Sequence, residues 1–223
     1  MKAVIGDILP LALVVTISPI NIVAAILLLF SKRPLLNASS YFVGFVLGVA
    51  AALAAFVAIA NALNLTAGSD TSRGAAAVML VLGAALLVAA VAKFRGRPRS
   101  GEAPSTPKWM DGIAGYSAAR SVVVGAAVGA LNPKNLVVGL AAAVAIGSAD
   151  LSLAAQIGAA TVYVVVAVLG VAAPIVTMLV LGDKAQPVLD SWRSWLAENN
   201  AVVMAVLFVV FGVVLVGKGI AGL

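Results

Sequence analysis

Apolar residues run along this chain in six long stretches, at about 4–30, 41–63, 75–91, 121–146, 153–181 and 201–216, with polar or Gly/Pro-containing segments between them. A helix crosses a hydrocarbon core of about 30 Å with roughly 20 residues, so the pattern predicts six transmembrane helices joined by short connections. The first stretch exceeds the roughly 7 to 15 residue core of a cleaved signal peptide and has only Lys2 before it. It reads as a retained span, interrupted in its middle by Ser18-Pro19.

The polar segments orient the chain. Between the third and fourth stretches lies Lys93-Phe94-Arg95-Gly96-Arg97-Pro98-Arg99, followed by polar residues that include Gly101, Pro104, Ser105 and Pro107. Lys and Arg stay preferentially on the cytoplasmic side. Placing this loop there puts Lys32, Arg33, Lys93, Arg95, Arg97, Arg99, Lys108, Arg120, Lys184 and Arg193 inside and leaves Lys2, Arg73 and Lys218 outside. Both termini are therefore expected outside the cytoplasm, across a bacterial plasma membrane. The chain divides into a first three-helix half, 1–92, a basic cytoplasmic loop, 93–120, and a second three-helix half, 121–223. Within the second half, Pro187 opens a segment, about 187–198, whose Val188, Leu189, Trp192, Trp195 and Leu196 share one helical face. It is expected to rest in the headgroup layer with its Trp rings as anchors, or alternatively to act as a moving gate.

Composition narrows the function. Hydrophobic residues make up 63% and charged residues 10%, which excludes a soluble domain and leaves no room for a separate catalytic one. The net charge of +6 reads as topology and attraction to anionic membrane lipids, not as nucleic-acid binding. Cys and His are absent, which removes the usual ligands of zinc, copper and iron–sulfur sites together with Ser-His-Asp chemistry. No metal, no cofactor and no enzymatic activity are expected.

An offset of 114 residues places Pro19-Ile20-Asn21-Ile22-Val23 on Pro133-Lys134-Asn135-Leu136-Val137. The two prolines lie three spans apart, and an odd number of spans per half inverts the second half relative to the first. Each sits about 12 to 15 residues into its span, near the bilayer midplane at roughly 1.5 Å per residue. Ser18 and Asn132 are N-cap residue types, each followed by the residue favoured at the first helical position. Spans one and four are therefore expected to be broken helices whose second segments start afresh in mid-membrane. Inverted halves would aim those N-termini, each with about half a positive charge, at one central cavity suited to an anionic group. A simple kink without a ligand is the alternative, as for Pro174, which has Ala60 at the corresponding place.

Lys134 sharpens the cavity reading. A lysine near the bilayer centre costs about 2.5 to 3.5 kcal/mol on insertion scales, so it should face the protein interior, as partner of an anionic substrate or as a proton carrier. The alternative is a side chain that snorkels to water. Asn21 and Asn135 either bind substrate or bond between helices. No Asp or Glu stands in the middle of a span, which argues against coupling through a buried carboxylate. Gly44-x-x-x-Gly48 and Gly125-x-x-x-Gly129 let helices approach closely, within the molecule or at a homodimer seam.

With its basic central loop, Ser18-Pro19 in the first span and Asn132-Pro133-Lys134 in the fourth, the chain resembles the LysE superfamily of small exporters. The Ser18-Pro19-Ile20-Asn21 form and the Ala/Val-rich texture are most similar to the actinobacterial GAP and Sap (sulfolipid-addressing) branch. The resemblance implies export of a cell-envelope lipid or its precursor. It departs from the amino-acid exporters, which usually carry Pro-Gly-Pro in the first span. Two other readings stand beside lipid export: an amino-acid or small-metabolite exporter, and a non-transporting scaffold that recruits lipid-synthesis partners through the loop from Lys93 to Lys108. The expected site comprises Ser18, Pro19, Asn21, Asn132, Pro133, Lys134 and Asn135.

Overall fold

The computed structural model describes residues 1–62, 69–97, 110, 112–147, 149 and 151–223, of residues 69–72 the backbone only. Leu63 at the edge of the second span, and Pro98, Arg99, Gly101, Pro104, Ser105, Pro107 and Lys108 of the basic loop, lie outside the described residues. The described chain is helical: α1 (Lys2–Thr16), α2 (Pro19–Leu29), α3 (Pro34–Ala62), α4 (Ser69–Arg95), α5 (Ala118–Leu131), α6 (Pro133–Gly147), α7 (Leu153–Leu181) and α8 (Ala185–Ala221). A 3-10 turn, Ile113–Gly115, precedes α5, and another, Gly182–Lys184, joins α7 to α8. Gly182 has φ 55°, which a residue with a Cβ adopts only under strain.

Three stretches are long and apolar enough to cross a membrane, Pro34–Ala62, Arg73–Arg95 and Leu153–Ala221, or five when each bent pair counts as one. The last contains both α7 and α8, separated by the turn at Gly182. Val88 and Val180 expose 71% and 74% of their surface, so the exterior is apolar where a water-soluble bundle would be polar. The chain is a multi-pass membrane protein. Residues 187–198 do not form a separate helix. They are the early turns of α8, because Pro187 falls in its first turn, where proline is tolerated, and no Gly or Pro follows before Gly212.

The bent pairs are α1 with α2, at 50°, and α5 with α6, at 58°. Proline alone does not break a helix here, since Pro10 lies inside α1 and Pro174 inside α7. At the two breaks the residue before proline has left the helical region, Ser18 at φ −122°, ψ 92° and Asn132 at φ −62°, ψ 121°.

The two glycine pairs meet each other. A Cβ on Gly44 would meet the Val122 carbonyl oxygen, and one on Gly48 that of Ala126; on the facing helix, Gly125 lies against Tyr41 and Gly129 against Phe45. The pairs thus serve packing within the molecule, with α3 and α5 side by side in the same direction. A second contact joins α4 to α8 in opposite directions, with Gly83 against Gly212 and Leu80 against Gly219. Thr16 of α1 packs on Gly170 of α7 and donates its hydroxyl to the Val166 carbonyl at 2.5 Å.

At the α3 start, buried Asn37 donates through Nδ2 to Ser31 Oγ at 2.9 Å and to the Tyr116 carbonyl at 3.0 Å, tying the turn before α3 to the approach of α5. Two neutral hydrogen bonds contribute about 1 to 3 kcal/mol. Asn37→Leu is expected to lower the unfolding temperature in detergent by several degrees; an unchanged transition would show that the tie contributes nothing.

Candidate functional site

The two breaks expose backbone that a continuous helix would have satisfied. Pro133 cannot donate to the Gly129 carbonyl, four residues earlier. The Asn135 amide replaces it, with Nδ2 at 3.2 Å from that oxygen and 3.3 Å from the Val128 carbonyl. Asn132 caps the new helix, its Oδ1 accepting the Lys134 N–H at 3.1 Å. Asn135 is thus engaged with its own broken span.

At the first break the pattern differs. The Ser18 N–H turns back to the Thr16 carbonyl at 3.0 Å, which leaves the Val14 carbonyl without its helical donor. Lys134 supplies one from the other break: its Nζ donates to Val14 O at 2.6 Å. The Lys134 amine lies at the C-terminal end of α1, where a helix carries its partial negative charge. Ser18 caps nothing with its side chain. Asn21, at the place that corresponds to Asn135, is fully buried, and neither its Nδ2 nor its Oδ1 has a partner among the described residues. By the 114-residue offset, the carbonyls that Asn135 holds correspond to those of Val14 and Val15.

A cavity of about 290 Å³ opens beside this junction, lined by Ser18, Ile20, Asn132, Pro133, Lys134 and Val137 from the breaks. Ala85, Leu86, Ala89 and Lys93 of α4 and Asn200, Met204 and Phe208 of α8 form its other wall. It runs from the breaks toward the end of α4 that bears Lys93. At the opposite end of the bundle Lys218 of α8 pairs with Asp7 of α1 at 2.6 Å. Ser18, Asn132, Pro133 and Lys134 therefore share one cavity, whereas Pro19, Asn21 and Asn135 lie outside its lining. Lys134 is 6% exposed, and among the described residues no acidic side chain pairs with it.

Asn200 lines the cavity without having been singled out in the sequence, and Lys93, read there as part of the basic loop, lines it too. The signal available was register: Asn200, Met204 and Phe208 repeat every four residues along α8, and Ala85, Ala89 and Lys93 along α4, so each set forms one stripe. The Asn200 Oδ1 is buried without a partner among the described residues.

The family model described as SfLAP, Sap, sulfolipid-1-addressing protein, matches residues 8–221. The chain belongs to the Sap family. That match runs from α1 almost to the end of α8 and takes in both breaks and both walls of the cavity. No curated protein and no solved structure matches the chain. The Sap assignment agrees with the branch to which the Ser18-Pro19 and Asn132-Pro133-Lys134 motifs pointed, and it ties this membrane protein to sulfolipid addressing.

Proposed function

We propose that this Sap-family protein is a plasma-membrane exporter that carries the anionic head of a cell-envelope lipid through the cavity between its two broken helices. The observation that carries this reading is Lys134, a buried amine at the cavity wall with a backbone carbonyl for its partner and, among the described residues, no acidic side chain paired with it. A charge at this depth is stabilised by an opposite charge, and a sulfo or phosphate group on the cargo brings one. The family's name refers to a sulfolipid, an anionic lipid of that kind. A cavity of about 290 Å³ holds a head group, and the acyl chains stay in the bilayer.

In this reading α1–α2, α3 and α4 form one set of three crossings and α5–α6, α7 and α8 the other, in inverted orientation, with both termini outside. The packing favours it: exchanging the sets turns the α3–α5 contact into α7–α1, and the α3–α6 contact into α7–α2, and all four exist. The cavity then opens toward the cytoplasm beside Lys93, and the Asp7–Lys218 pair closes the outer end. Cargo binding draws Lys134 from the Val14 carbonyl. Asn21, free to bond, then takes that carbonyl as Asn135 holds its counterparts. The junction so has two hydrogen-bonded arrangements, one for each direction of access. No bond chemistry and no cofactor enter this cycle.

The test is reconstitution in liposomes with a panel of sulfated, phosphorylated and uncharged lipids and an amino acid. Export of anionic lipids only is the expected result. No movement of any solute, together with co-purification of lipid-synthesis enzymes through the basic loop, would replace the exporter with a scaffold.

A further inference from the structure

Close glycine contacts bind the helices into two sets, and among the described residues none of those contacts crosses from one set to the other. In the smaller set α4 and α8 lie side by side: a Cβ on Gly83 would meet Gly212 and Val216, one on Gly212 would meet Leu87, and one on Gly219 would meet Ala76 and Leu80. The larger set holds α1, α2, α3, α5, α6 and α7, through contacts such as Gly125 on Tyr41, Gly139 on Phe56 and Gly170 on Thr16. Across the boundary α4 touches α6, and α8 touches α2, α7 and α1, far less extensively than α4 and α8 touch each other. The cavity beside Lys134 opens along this boundary, with Ala85, Met204 and Phe208 on the α4–α8 side. In lipid, close van der Waals packing holds helices together, because the surrounding tails are as apolar as the side chains. The boundary is therefore where the bundle parts at least cost. Specific links span it at its two ends. At one, the turn Gly182–Lys184 joins α8 covalently to α7, with Gly182 at φ 55°, and nearby Arg193 of α8 lies 5.8 Å from the centre of the Phe30 ring. At the other, Lys218 Nζ of α8 donates to Asp7 Oδ1 of α1 at 2.6 Å, with both side chains partly exposed.

We infer that α4 and α8 move as one arm against the other six helices, hinged at the Gly182 turn, with Asp7–Lys218 as the clasp on its free end. α8 has 37 residues, about 55 Å at 1.5 Å per residue, so a tilt of about 10° carries Lys218 about 10 Å from Asp7 while residues near the turn move little. A partly exposed ion pair changes the ratio of closed to open arm by up to about fivefold, which biases the motion without locking it. The inference rests on the exporter reading for what the motion serves: the arm unites the third crossing of each half, and its swing opens the cavity to the outer face. The motion itself is measured without transport, so an arm that swings in a protein that moves no lipid would leave this inference standing and remove the exporter.

Because the chain has no cysteine, spin labels on introduced pairs read its distances by double electron–electron resonance of the full chain in lipid nanodiscs. Leu153→Cys with Ile220→Cys spans the boundary at the clasp end, Val81→Cys with Val213→Cys lies within the arm, and Leu47→Cys with Val165→Cys lies within the larger set; all six positions are exposed on the bundle surface. Lys218→Met and Asp7→Asn should each raise, by up to about fivefold, the share of a 153–220 component about 10 Å longer, and leave the other two distances unchanged. Exchanging the charges, Asp7→Lys with Lys218→Asp, should restore the native distribution. An unchanged 153–220 distribution in both single variants, or a longer component that persists after the exchange, overturns the clasp. A change in the 81–213 distance that accompanies the opening overturns the single arm.

Discussion

Lys134→Met is expected to cut anionic-lipid flux by about 10- to 100-fold while leaving the protein as stable as before, or more so. The side chains are similar in length, so the cavity wall keeps its shape and loses only charge. A charge-assisted hydrogen bond is worth about 1.5 to 3 kcal/mol, and each 1.4 kcal/mol is tenfold in affinity, which sets the size of the effect. Stability moves the other way because a buried amine whose only resolved partner is a carbonyl is costly to hold, and an apolar replacement of the same size relieves that cost. Lys134→Arg should restore little, since a planar guanidinium does not fit where a compact ammonium meets a single oxygen. Flux in liposomes and thermal unfolding in detergent, measured on the same preparations, separate the two effects. Equal flux with lower stability would make Lys134 a structural tie between α1 and α6.

Gly44→Leu and Gly125→Leu are expected to prevent assembly of the bundle. Each glycine lies directly on the facing helix's backbone, Gly44 on Val122 and Gly125 on Tyr41, so a side chain meets main-chain atoms that cannot rotate away. Overpacking a tight contact costs about 1 to 3 kcal/mol or more, and in a bilayer no hydrophobic force pushes the separated helices back together. Van der Waals contact across this seam is what a larger residue destroys. Gly158→Leu is the matched control, because nothing lies within 4 Å of the position its Cβ would take. Yield of monodisperse protein should collapse for the first two and stay at the native level for the third. Normal yield of all three would mean that α3 and α5 do not share this seam.

Much of this architecture was legible because bilayers impose it. Apolar run length marks the helices, and Ser18-Pro19 and Asn132-Pro133 mark the two breaks, since a residue before proline is driven out of the helical region at both. The Gly-x-x-x-Gly spacings pointed to close helix contacts, although nothing in the sequence states that each pair would find the other. The chemistry at the junction was less legible. The repeat assigns Asn21 and Asn135 equivalent roles, yet Lys134 reaches across and takes the Val14 carbonyl, so that Asn135 is bonded and Asn21 has no partner among the described residues. Two converging helix N-termini were expected to supply the positive character. The starts of α2 and α6 do border the cavity, and the Lys134 side chain joins them by bonding to the Val14 carbonyl in the last turn of α1. Such a cross-contact depends on how two halves dock, which local patterns do not encode. For the same reason residues 187–198 looked separate: Pro187 and the polar stretch mark a boundary, but the helix runs through Asn199 and Asn200 into the last apolar run.

The central claim is a water-accessible cavity between the broken helices, reached from the side of the basic loop. The chain has no cysteine of its own, so single cysteines report without background. Ala89→Cys and Ala85→Cys face the cavity, and Val88→Cys, 71% exposed on the outer surface of the same helix, faces lipid. The decisive measurement is the rate at which a membrane-impermeant anionic thiol reagent modifies each in inverted membrane vesicles, with and without an anionic lipid head-group analogue. Fast labelling at positions 85 and 89, slowed by the analogue, with position 88 inert, is the predicted result. Equal inertness at all three positions, or labelling at 85 and 89 that appears only when the reagent is applied from the outer face, would contradict it.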